Sequence, residues 1–102
     1  MSIVCRGIRG ATTTTTNTKA AILEATTELL ERLVIANDLH RSAIAAAFFT
    51  TTRDLNAEFP AVAARQVGWT DVALLDSHEM DIPGALPFCI RVLLLINTEK
   101  ES

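Results

Sequence analysis

Three arginines stand in company that makes them candidates for chemistry. Arg91 lies inside PFCIRVLLLI (residues 87–96), and Arg9 lies in the strand-like N-terminal stretch; both have apolar neighbours. Arg65 shares a small-residue helix face with Ala61. A guanidinium is seldom fully buried without a partner, so each arginine needs an anion. The simplest partner is structural, an ion pair at the rim with Asp76, Glu79 or Asp81. For one arginine alone that account is the better one. Two arginines in apolar strands, with Arg65 as a third, shift the balance toward a carboxylate-rich ligand, because the planar guanidinium fork matches carboxylate geometry in a bidentate way.

Other chemistries find less support. Asp76, His78, Glu79 and Asp81 follow no familiar metal-ligand spacing and have no cysteine ligand among them, so no metal is expected; His78 reads as a loop residue in solvent. Cys5 and Cys89 are the only cysteines, with no CxxC between them. Cys89 shares a strand face with Arg91, but no histidine is evident as its base. Two packed thiols in a reducing compartment are expected, and a disulfide is the second choice. No nucleophile elbow and no glycine-rich phosphate loop occur. Phe59 reads as core, and Trp69 as packing against a helix end.

Bulk properties narrow the field further. The chain has 102 residues, enough for one domain spanning 1–102, and 49% are apolar. Mean hydropathy is +0.28. That is rich for so short a chain, and a symmetric homo-oligomer that hides part of the apolar surface is expected. The net charge of −3 and pI near 5.2 argue against a general nucleic-acid or membrane-surface binder. No stretch approaches the ~18 apolar residues of a membrane span. With no leader evident, a cytoplasmic protein is expected.

The elements that position these residues follow from periodicity. Residues 3–14 alternate as a strand that places Arg9 on the face of Cys5 and Arg6 on the other. Asn17 is a candidate N-cap. Beyond it Ile22, Leu23, Thr26, Leu29, Leu30, Leu33 and Val34 recur at helical spacing, which predicts an amphipathic helix over 18–36. Glu28 and Arg32 form an i,i+4 pair on its wet face. Residues 44–52 form the second strand. Pro60 stands at the first position of a short helix that ends at Gly68. Residues 71–75 form the third strand, 76–87 a loop, and 89–97 a last strand whose apolar residues on both faces imply cover on both sides. The order β-α-β-α-β-β gives an α+β fold, a mixed β-sheet with a long helix packed on one face. "TEKES" (98–102) reads as a polar tail.

Three blocks then point to a family. RGIRGATT (6–13), FPAVAARQVGW (59–69) and EMDIPGALPFCIRV (79–92), with their spacing, resemble the AroH-type chorismate mutases over residues 3–98. The resemblance implies a pseudo-α/β-barrel homotrimer with active sites between subunits. It also implies a cofactor-free, metal-free Claisen rearrangement of chorismate to prephenate, on the route to phenylalanine and tyrosine. Arg91 is then the cation facing the ether oxygen, Arg9 the carboxylate-binding arginine, and Glu79 the acceptor for the ring hydroxyl. Phe59, Ala61 and Arg65 match the wall supplied by a neighbouring subunit. In the empty enzyme Arg91 is expected to meet Glu79 or water.

Three departures from the family pattern stand out. Val62 replaces a common lysine. Leu75 and Asp76 occupy positions where a threonine and a cysteine contact substrate, and Asp76 would set a carboxylate beside a dianion, unless it turns away or pairs with an arginine. The family's C-terminal tail has no counterpart in the 102 residues, which leads to an expected rise in KM. Two further readings compete: a trimeric deaminase of enamine and imine intermediates, and a non-catalytic trimeric module that binds an anionic metabolite or a protein.

Overall fold

The computed structural model describes residues 2–99, so the tail expectation for residues 100–102 lies outside the described residues. In chain order the elements are β1 (Val4–Thr13), α1 (Lys19–Asn37), a 3-10 turn (Arg41–Ala43), β2 (Ile44–Thr51), α2 (Ala61–Gln66), β3 (Ala73–His78) and β4 (Cys89–Thr98). The four strands form one mixed sheet in the order β1-β4-β2-β3. β4 runs antiparallel to both β1 and β2, and β2 and β3 are parallel. A parallel pair needs a crossover connection, and α2 lies within it.

α1 forms where its apolar stripe predicts. Ile22, Thr26, Leu29 and Leu30 are buried, with Leu33 and Val34 at the margin of the core. The approach to the sheet is close at Gly10, where a Cβ would sit 3.0 Å from methyls of Leu29 and Leu33. The N-cap is Thr18, not Asn17: the Thr18 hydroxyl accepts from the Ala21 N–H at 3.1 Å. Asn17 is used elsewhere. Its amide nitrogen donates to Asn56 Oδ1 at 2.7 Å, and its Oδ1 accepts the N–H groups of Asn56 and Ala57 at 3.0 and 3.1 Å. An amide that can donate and accept at once suits that loop better than a helix end, which asks only for an acceptor.

From Ile90 onward β4 alternates. Ile90, Val92, Leu94 and Ile96 are buried, while Arg91, Leu93 and Asn97 face outward. Among the described residues of one chain, cover on both sides is therefore absent, since the helices lie on one face only. β3 runs three residues further than its apolar run predicts, because Asp76, Ser77 and His78 pair with Phe49, Thr50 and Thr51. His78 is thus a strand-end residue whose Nδ1 lies 3.2 Å from Thr51 Oγ1. Pro60 caps α2 instead of opening it, and Trp69 packs into the core as expected. Cys89 is buried, but Cys5 is exposed, and both are free. They stand at opposite ends of the β1–β4 ladder, where Cys5 meets Asn97 and Cys89 meets Thr13, so the register separates them.

Candidate active site

Side chains paired directly across a sheet project from the same face. On β4, Arg91 pairs with Ala11 of β1 and Thr50 of β2, and Leu93 pairs with Arg9 and Phe48. Phe48 in turn pairs with Leu75 of β3. Arg9 and Arg91 are therefore diagonal neighbours, roughly 7–8 Å apart, on the face that α1 does not cover. Arg9, Ala11, Phe48, Thr50, Arg91 and Leu93 line a concavity of about 520 Å³, within the size range of small-molecule sites.

Glu79 reaches this face from the end of β3. Its N–H donates to the Thr51 carbonyl at 2.8 Å, which fixes its backbone just past the paired residues. Its Oε2 accepts the Thr50 hydroxyl and lies 3.9 Å from Arg91 Nε. That separation makes an ion pair but is too long for a hydrogen bond. The Arg91 side chain is 57% exposed and that of Glu79 31%, so solvent screens the pair. Arg91 meets Glu79, one of its two expected partners. Among the described residues Arg9 makes no ion pair. The face thus offers two guanidiniums against one carboxylate, a balance that suits a ligand with more than one negative group.

Of the other sequence-predicted residues, all but Leu75 stand apart from Arg9 and Arg91. Asp76 has the opposite strand parity and turns away from Arg9 and Arg91; its Oδ1 accepts the Ala61 N–H at 3.0 Å. Burial pushes its carboxyl above the usual value. The Ala61 hydrogen bond and Arg65 oppose that rise, and Glu58 adds to it. Leu75 stays on the arginine face. Phe59 is 65% exposed, not core, and with Glu58, Asp76 and His78 it lines a second cleft of about 310 Å³. Ala61 keeps no exposed surface, so it supports that wall from behind. Arg65 is exposed beside it. One chain therefore brings together Arg9, Arg91, Glu79 and Leu75, and sets Phe59, Ala61, Arg65 and Asp76 apart from them. Among the described residues no three His, Cys, Asp or Glu side chains gather as a metal site.

Thr50 and Phe48 escaped the sequence reading. Their alternation within residues 44–52 was visible, but only the β2–β4 register puts them beside Arg91.

Fold and site together define a class: a small α+β protein that presents paired arginines and one carboxylate on an open sheet face. The chain belongs to the chorismate mutase type I family, whose model matches residues 5–102. It is 50% identical over 95 residues to chorismate mutase AroH of Thermus thermophilus, covering 92% of this chain and 78% of that protein. To chorismate mutase AroH of Bacillus subtilis it is 39% identical over 98 residues, covering 95% and 77%. The fold superposes on a chorismate mutase from Clostridium thermocellum with a TM-score of 0.93 at 45% identity, covering 95% of this chain and 87% of that one.

Proposed function

We propose that this protein, as one domain over residues 1–102, is an isomerase that converts chorismate to prephenate in phenylalanine and tyrosine biosynthesis. Family membership supports the reaction. The observation that carries the site is the placing of Arg9 and Arg91 as diagonal neighbours on one open face, with Glu79 beside Arg91.

The chemistry asks little of the protein except binding and charge. One ether C–O bond breaks while one C–C bond forms, both within the substrate, so no nucleophile, cofactor or metal is required. Holding the substrate compact with its reacting carbons close removes much of the entropic barrier. Arg9 binds a carboxylate. Arg91 faces the ether oxygen, where negative charge grows as the C–O bond stretches, so its interaction is stronger in the transition state than in the ground state. Glu79 accepts the ring hydroxyl.

A homotrimer completes this reading. The two clefts share no lining residue within one chain, so a neighbouring subunit would bring its Phe59 and Arg65 against the arginine face of the first. Exposed Phe48, Leu75 and Leu93 on that face support such a contact. The backbone near Leu75 and Asp76 contributes to the substrate pocket, while the Asp76 carboxylate stays with Ala61. A cytoplasmic location fits two free thiols; among the described residues no helix is long and apolar enough to cross a membrane.

The test is turnover of chorismate by the purified protein, followed as loss of chorismate and gain of prephenate. Arg91→Ala is expected to lower kcat by at least roughly 10²–10³, the usual effect of removing one preorganised donor. Near-normal turnover by that variant would sink the assignment. Imine hydrolysis without chorismate turnover would favour the deaminase reading instead.

A further inference from the structure

Glu79 has to act across an intervening strand. It leaves the sheet at the end of β3, Arg91 sits on β4, and β2 lies between them. Two strand spacings separate the backbones, roughly 9–10 Å. The residue that bridges this gap is Thr50, directly paired with Arg91 in the β2–β4 ladder and with Ser77 in the β2–β3 ladder. Its hydroxyl donates to Glu79 Oε2, the same oxygen that faces Arg91 Nε at 3.9 Å.

This arrangement decides what is left for a ligand. A free glutamate beside an arginine tends to close into a bidentate fork. Such a fork would occupy two of the guanidinium N–H donors and both carboxylate oxygens. Here the carboxylate is hydrogen-bonded to Thr50 and only electrostatically paired with Arg91. Among the described residues no hydrogen bond occupies the Arg91 guanidinium, and Glu79 Oε1 has no hydrogen-bond partner. Both halves of the pair therefore keep donors and an acceptor unspent.

We propose that Thr50 is a positioning residue of the active site: its hydroxyl tethers Glu79 and so keeps the Glu79 carboxylate from closing on Arg91. The inference rests on the chorismate mutase reading of the site. Thr50 acts through Glu79, whose Oε2 accepts its hydroxyl. Without the tether Glu79 closes on Arg91, and substrate must break that fork before it binds.

The test compares steady-state kinetics of wild type, Thr50→Val, Thr50→Ser, Glu79→Gln and the Thr50→Val/Glu79→Gln double variant with chorismate. Thermal unfolding confirms that each is folded. Thr50→Ala is carried alongside, since it removes the hydroxyl without the β-branch and serves if the valine variant does not fold. The expected result is a KM raised about tenfold or more in Thr50→Val, the scale of a charged hydrogen bond that substrate must displace, with a smaller change in kcat. Thr50→Ser restores KM to near wild type. In the Glu79→Gln background the Thr50 change adds nothing further, because the two residues form one coupled unit. A Thr50→Val variant equal to wild type overturns the proposal. So does a serine variant as impaired as valine, or losses that multiply in the double variant. Wild-type protein that does not turn chorismate over takes down the functional reading itself, and this proposal with it.

Discussion

Asp76 is a carboxylate that works on the side of the sheet away from the arginines. It accepts the Ala61 N–H at 3.0 Å, yet burial holds its pKa above the ordinary carboxyl value of 3.8. The folded state therefore binds the proton more tightly than the unfolded chain, and stability from this group falls as pH rises from about 3.8 through the folded pKa. Asp76→Asn keeps an acceptor for Ala61 and removes the charge. Its unfolding midpoint is expected to exceed that of wild type at pH 7, with the gap closing below pH 3.8. A lower midpoint at neutral pH would count against burial as the dominant cause. Asp54 behaves oppositely: the hydrogen bond from the Thr52 hydroxyl lowers its pKa most, burial opposes that drop, and the Phe88 and Asp54 N–H groups lower it further.

At the scale of elements, α2 is the weak link, since six residues cannot sustain a helix by propensity alone. Its exit is pinned at Gly68, with φ +95°. The Gly68 N–H donates to Arg65 O at 3.1 Å, the Trp69 N–H donates to Ala64 O at 2.9 Å, and Arg41 Nη1 donates to the Gly68 carbonyl at 2.5 Å. A Cβ at Gly68 would stand 2.7 Å from Arg41 Nη1. Gly68→Ala is expected to cost about 1–2 kcal/mol in denaturant unfolding, the cost of a left-handed conformation for an L-residue, plus loss of the Arg41 contact. A change within experimental error would show that the turn relaxes freely. Gly68 as the helix stop was legible because a short helix before glycine is a local pattern. The replacement of Asn17 by Thr18 as the α1 cap was not, because Asn17 is claimed by a loop 39 residues away.

For the whole molecule the decisive feature is the open sheet face. Leu93 on β4 and Phe48 on β2 are side by side there and exposed, although the neighbouring positions on both strands are buried in the core that α1 and α2 share. An apolar face this close to the charged groups of the proposed site is best covered by another copy of the chain. Sedimentation is expected to give a particle three times the 11.1 kDa chain mass. Leu93→Asp is expected to shift it toward monomer and to abolish turnover, since each proposed site draws on two subunits. A fully active monomer would refute the trimeric arrangement.

The local pattern of residues was enough for much of this protein. Period 3.6 marked α1, alternation marked β1 and β4, and an arginine among apolar strand residues marked Arg9 and Arg91 as groups awaiting an anion. The three family blocks carried the identity of the fold. Tertiary structure decided everything that depends on strand register. It set Thr50 beside Arg91 and brought Glu79 across β2. It also turned Asp76 toward α2 and left Phe59 exposed where its type had implied core. The reason is physical: periodicity is a property of neighbours along the chain, whereas register and facing are set by hydrogen-bonded pairing between segments tens of residues apart. A shift of one residue in the β2–β4 pairing would have put Thr50 on the other face and left the Glu79 carboxylate untethered.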